Sequence, residues 1–167
     1  MDTGWITGKD LVAPGLRGVL GGVGTGFVYG AEAMTREALK PVFAEGGRWV
    51  ETRVFGQEHL VAPDGSVWPV LMVGAVRSTN GAEHVVVVNR NPELEKSALV
   101  VRAGFPHDRI IDVATVHAAA ITGFNDDGTP GDNTVELTRS TLETNGKGAF
   151  NLVFPAASVT VLTLQPG

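Results

Sequence analysis

With 167 residues, a formal net charge of −5 and no cysteine, the sequence excludes several classes at once. The length fits one domain with at most an appended segment, and the acidic balance disfavours nucleic acid or an anionic membrane as a partner, since both favour basic surfaces. The absence of thiols removes disulfides, thiolate nucleophiles and cysteine-ligated zinc.

The N-terminus lacks the basic stretch and continuous apolar run of a secretory signal, which reads as a cytoplasmic product or a chain already processed or truncated. Residues 1–35 read as a glycine-rich arm and 36–167 as the main domain. Within the arm, Gly18 to Ala31 is uncharged but too short and glycine-rich to span a bilayer. A short helix is expected from Gly30 to Leu39 on the stripe Ala31, Met34 and Ala38, ending before Lys40-Pro41.

From Arg48 onward, short β-branched runs alternate with Gly, Pro, Asn and Asp, which predicts an all-β antiparallel sandwich of jelly-roll type. The expected strands are Arg48 to Phe55, Val67 to Val76, His84 to Arg90, Ser97 to Ala103, Arg109 to His117, Thr134 to Thr138, Ala149 to Phe154 and Ser158 to Leu164. Thr79-Asn80-Gly81 predicts a hairpin with a type I′ turn pairing the second and third runs. Val85 to Val88 shows no alternation, so that strand should be covered on both faces and lie centrally. In the last run, Val159 and Val161 share one parity and Leu162 and Leu164 the other. That pattern predicts either two buried faces or a bulge, and the bulge is favoured.

The stretch GGVGTGFVYG at Gly21 to Gly30 imitates a phosphate-binding loop. Its spacing fails the dinucleotide fingerprint, because Tyr29 and Phe27 stand where the third glycine belongs. Gly8-Lys9-Asp10 and Gly146-Lys147-Gly148 lack the hydroxyl that a Walker loop places on magnesium. No cofactor is expected. The histidines His59, His84, His107 and His117 have no helical i, i+4 pairing for a metal. Asn125, Asp126, Asp127 and Asp132 cluster oxygen ligands in one loop and are the calcium candidate, although the spacing is not that of an EF-hand and suits ordinary turn chemistry.

Glu51, Glu83, Glu136 and Glu143 read as solvent-facing strand or hairpin residues, and no G-x-S-x-G elbow surrounds any serine. No catalytic residue emerges. Trp5, Tyr29, Trp49 and Trp68 could form a platform for stacking sugar rings, the alternative being burial in the core.

Three stretches taken together resemble the C-terminal β-sandwich domain of glycoside hydrolase family 51 α-L-arabinofuranosidases. Ala38-Leu39-Lys40-Pro41-Val42 is similar to the family's strand entry after the last barrel helix. His84-Val85-Val86-Val87-Val88-Asn89-Arg90-Asn91 is similar to its central strand, and Phe154-Pro155 through Ser158-Val159-Thr160-Val161-Leu162 to its closing strand. The likeness covers roughly residues 27 to 165, and Ile121 to Asp126 departs from the family's loop. The resemblance implies an ancillary domain of arabinose-containing polysaccharide metabolism. The family's catalytic glutamates lie on a barrel that has no counterpart here, so no catalytic residue carries over. Partners expected on this basis are a glycosidase barrel domain or a second copy of the chain. The alternative is a carbohydrate-binding module for arabinan or xylan.

Overall fold

The computed structural model describes residues 39–61, 65–101, 107–118, 135–145 and 148–166. A helical segment, α1 (39–44), leads into ten strands. These are β1 (Arg48–Val50), β2 (His59–Val61), β3 (Val67–Pro69), β4 (Leu71–Arg77), β5 (Glu83–Asn89), β6 (Lys96–Val101), β7 (His107–Ala118), β8 (Val135–Glu143), β9 (Ala149–Phe154) and β10 (Ser158–Pro166). Six form one sheet in the order β1-β4-β5-β10-β7-β8, while β2-β3 and β6-β9 form two-stranded ribbons. All described pairings are antiparallel.

Strands β5 and β10 sit at the centre of the large sheet, and their composition explains why. One face of β10 carries Val159 and Val161 and the other Leu162 and Leu164, and all four are buried. Val86, Val87 and Val88 of β5 are likewise buried, as expected of a strand with no polar side. Leu162, Leu164, Ile111 and Val113 on one face pack with Phe150 of β9, and Val85, Val100, Leu142 and Leu152 border that cluster. The ribbon β6-β9 therefore closes this face. Burying such side chains contributes about 1.5–3 kcal/mol each, and it is the main source of stability on this side of the sheet.

The all-β antiparallel expectation holds, with one short helical segment described. Several local expectations change. Helix α1 continues through Lys40-Pro41 instead of ending before them. The Pro41 carbonyl still accepts from Glu45 N–H at 3.2 Å. A Schellman closure then ends the helix, with Gly46 N–H donating to Phe43 O at 2.9 Å and Gly47 N–H to Val42 O at 2.8 Å. Gly46 supplies the left-handed residue at φ 89°. Residues 30–38 of the expected helix lie outside the described residues.

The hairpin at Asn80-Gly81 joins β4 to β5 as expected, with Arg77 opposite Glu83. It is not type I′, because only Gly81, at φ 88°, has a positive φ. Gly81 N–H donates to Ser78 O and Ser78 N–H to Ala82 O, giving a type I turn followed by a glycine bulge. Asn80 instead uses its side chain, with Oδ1 accepting from Ala82 N–H at 3.0 Å.

The favoured bulge in the last run is absent between Ser158 and Leu164, where β10 keeps register with β5 and is buried on both faces. The register shifts only between Leu164 and Pro166. The run Val67 to Val76 is two strands, because at Val70 the chain leaves β2 and turns to pair with β5. Val70 N–H donates to Glu58 O, and its carbonyl accepts from Arg90 N–H. Strand β2 had no sequence signal.

Candidate functional site

The capped end of α1 places β1 beside the β4-β5 hairpin. A Cβ built on Gly47 would lie 2.6 Å from Val42 O and 2.9 Å from Val76 Cγ1, so only glycine allows helix and sheet to approach this closely. One built on Gly46 would lie 3.3 Å from Thr79 Cγ2 of the hairpin. Trp49 follows on the edge strand, 55% exposed, with its ring centroid 4.5 Å from that of Phe43 and tilted by 57°. The Phe43 contact fixes the indole while leaving much of it open to solvent.

Across the sheet, Arg48 stands directly opposite Arg77, and Arg77 directly opposite Glu83. Arg77 donates from Nε and Nη2 to Glu83 Oε1, at 2.9 and 2.5 Å. The Glu83 side chain is only 5% exposed against 41% for Arg77. The expectation of a solvent-facing Glu83 is therefore corrected. The hairpin register turns it toward the covered face, where the guanidinium offsets the cost of burial. A cavity of about 540 Å³ opens beside this row, lined by residues that include Arg48, Trp49, Arg77, Ser78 and Thr79.

His84, the next residue on β5, accepts from or donates to Thr163 Oγ1 through Nδ1 at 3.3 Å. Burial pushes its pKa down, and the nearby Glu45 carboxylate opposes this in part. A lowered histidine pKa means the folded state holds the neutral ring. Its stabilising contribution is thus complete above the unfolded value of about 6.5 and is lost as the pH falls below it. Urea unfolding of the wild type is expected to weaken from pH 7.5 to 5.5, and His84→Gln should reduce that slope. An unchanged slope in the variant would show that the acid sensitivity arises elsewhere.

Of the four aromatic candidates, the structure places two. Trp49 is at the cavity. Trp68 is half-buried on β3 of a separate ribbon, its Nε1 donating to Ser66 Oγ at 2.8 Å and the Arg90 guanidinium lying 5.5 Å from its ring centre. Those contacts give Trp68 a packing role and do not bring it to Trp49's strand. Trp5 and Tyr29, and the calcium candidates Asn125, Asp126, Asp127 and Asp132, lie outside the described residues. Among the described residues no group of three or more His, Asp or Glu side chains could hold a metal ion, and no helix is long and apolar enough to cross a membrane.

Sequence reasoning missed Arg48, Arg77, Ser78 and Thr79. The signal available was the hairpin itself, since the loop around Asn80-Gly81 sets Arg77 opposite Glu83. Asn89 and Arg90, singled out in the central strand, are both buried. Asn89 Nδ2 donates to the carbonyls of Leu94, Phe154 and Pro155 at 3.0, 3.0 and 2.8 Å, and its Oδ1 accepts from Asn91 N–H at 3.0 Å. It fastens the end of β5 to the β9-β10 turn.

No family model matches the sequence, and no curated protein does. Solved structures do. The structure is similar to that of the GH51 α-L-arabinofuranosidase from Thermotoga petrophila RKU-1, at a TM-score of 0.55 and 20% identity, over 70% of this chain and 25% of that one. It is also similar to the GH51 arabinofuranosidase from Xanthomonas axonopodis pv. citri, at a TM-score of 0.54 and 21% identity, over 65% of this chain and 21% of that one. This chain has the fold of one part of those enzymes. The aligned region spans about a quarter of their length or less, which agrees with a likeness to one domain and not to a whole glycosidase.

Proposed function

We propose that this chain is a non-catalytic ancillary β-sandwich domain of the arabinofuranosidase type, serving as a packing and oligomerisation scaffold. The observation that carries this reading is the outer face of the β6-β9 ribbon. In its register, Val100 faces Phe150 and Ala98 faces Leu152 on the core side, leaving Leu99, Val101 and Val153 on the other. Those three are 60%, 64% and 46% exposed. Branched aliphatics grouped on one face of a ribbon mark a surface that gains from being covered.

In an enzyme the cover would be a glycosidase barrel, and for the chain alone it is a second copy. Sedimentation velocity is expected to show concentration-dependent association in the micromolar range. The double variant Leu99→Lys, Val153→Lys should be monomeric with an unchanged circular dichroism spectrum. A wild type that stays monomeric throughout, and that also fails to bind an arabinofuranosidase barrel stripped of its own sandwich, would refute the scaffold reading. The folded chain is expected to leave a chromogenic arabinofuranoside intact.

A second reading is favoured by the exposure of Trp49 beside a cavity: a carbohydrate-binding module that stacks a sugar ring on the indole. Its ligands would be arabinan or xylan oligosaccharides.

A further inference from the structure

We propose that β8 pairs antiparallel with β8 of a second copy, Arg139 of each chain standing opposite Glu143 of the other, so that the large sheet continues from one molecule into the next. This rests on the scaffold reading and adds to it a second contact, separate from the β6-β9 ribbon.

The two ends of the six-stranded sheet are unlike each other. At one end β1 is only three residues long, and a very short strand is one of the ways in which proteins blunt a sheet edge. At the other, β8 runs for nine residues and pairs with β7 without a register break. Among the described strands β7 is its one neighbour. A strand of this length with no proline, lysine or bulge presents its outward backbone groups to another strand.

The ladder with β7 determines which groups face out. Thr144 N–H donates to Arg109 O at 2.7 Å, and hydrogen-bonded residues alternate with non-bonded ones along an antiparallel pair. Leu142, Ser140 and Thr138 therefore turn their backbone toward β7, while Glu143, Thr141, Arg139 and Leu137 turn theirs to the outer edge. A second β8 can bond only by setting these odd-numbered residues against one another, which also keeps corresponding faces of the two sheets on the same side.

Charge then selects among the registers. The ionised residues of β8 are Glu136, Arg139 and Glu143; all are exposed, and none forms an ion pair with a described residue. Directly opposite one another, unlike charges stabilise a strand pair and like charges destabilise it. Registers centred on Arg139 or on Glu143 set a charge against its own kind. The register centred on Thr141 sets Arg139 opposite Glu143 twice, Ser140 opposite Leu142 twice, and Thr141 opposite itself. Glu136 is even-numbered and cannot stand against Arg139, so no other permitted register brings opposite charges face to face.

Edge pairing buries little apolar surface, and an isolated pair of strands is marginal in water. It is therefore the weaker contact, joining molecules already associated through the ribbon. Two twofold contacts on one chain build either a closed tetramer or an open filament.

The test is sedimentation velocity of the full chain from micromolar to near-millimolar concentration, at low salt and in about 0.5 M sodium chloride, where charges are screened within a few ångströms. The wild type is expected to pass from dimers to larger species, with salt weakening the second step. Arg139→Glu and Glu143→Arg should each stop at the dimer with an unchanged circular dichroism spectrum, because each sets like charges opposite one another. An equimolar mixture of these two variants should recover the larger species, since every facing pair is then of opposite sign. A wild type that stops at the dimer, single variants that assemble as the wild type does, or a mixture that recovers nothing would each overturn the edge pairing and leave the scaffold reading standing. A chain that stays monomeric throughout would remove both. If Leu99→Lys, Val153→Lys still dimerises while Arg139→Glu is monomeric, the edge pairing stands and the ribbon contact falls.

Discussion

Replacing Asn89 by alanine is expected to remove about 4 kcal/mol of stability, since each buried polar group left without its partner costs roughly 1–3 kcal/mol. In a protein of this size that corresponds to a fall in Tm of roughly 10 °C. The amide ties the carbonyls of Leu94, of Phe154 at the end of β9 and of Pro155 just beyond it to the end of β5, and also accepts from the Asn91 backbone. Asn89 is fully buried, so water cannot replace the lost bonds without opening the structure. The near-isosteric Asn89→Asp separates packing from hydrogen bonding. It preserves volume but sets a carboxylate against three carbonyl oxygens, and at neutral pH it should be at least as damaging as alanine. Chemical denaturation of both variants checks this. An aspartate variant close to wild type would mean that the side chain fills space and does not fasten the loops.

The second large effect is an asymmetry within one ion pair. Arg77→Met removes the two guanidinium hydrogen bonds from the Glu83 carboxylate, which lies on the covered face of the sheet, and is expected to cost about 3 kcal/mol. Glu83→Gln should cost only about 1 kcal/mol, because the partly exposed guanidinium of Arg77 can turn to water. Denaturant midpoints of the two single variants give the comparison directly. If Glu83→Gln were the more damaging, the burial that distinguishes the two partners would not be what sets their energetics.

What could be read from the sequence divides along physical lines. Strands defined by their own side chains were legible: Val85 to Val88 had to be covered on both faces, and Ala149 to Phe154 is observed with the bounds expected. The Asn80-Gly81 turn fixed which strands pair. It did not fix the turn type, because type I′ and a type I turn with a glycine bulge both need positive φ at Gly81 and differ at Asn80. Features that depend on distant partners were not legible. Glu83 looked solvent-facing until the sheet placed Arg77 across from it, and the break at Val70 exists because Glu58 and Arg90 bond its backbone from two directions. The cavity illustrates the same limit: Arg48 and Arg77 are far apart in the chain, and only the β1-β4 pairing sets them face to face.

The position of β10 has a consequence for how the molecule is made. It follows every other described strand in the sequence, yet it lies between β5 and β7, and in the described sheet it alone joins β1-β4-β5 to β7-β8. During synthesis the two halves therefore emerge with an open seam, their inner edges unpaired, until β10 leaves the ribosome. Its pairing with β5 closes a long loop, the kind of contact that slows folding. A nascent chain stalled before Ser158 would present two sticky edges at once, each shaped to accept a strand from another molecule.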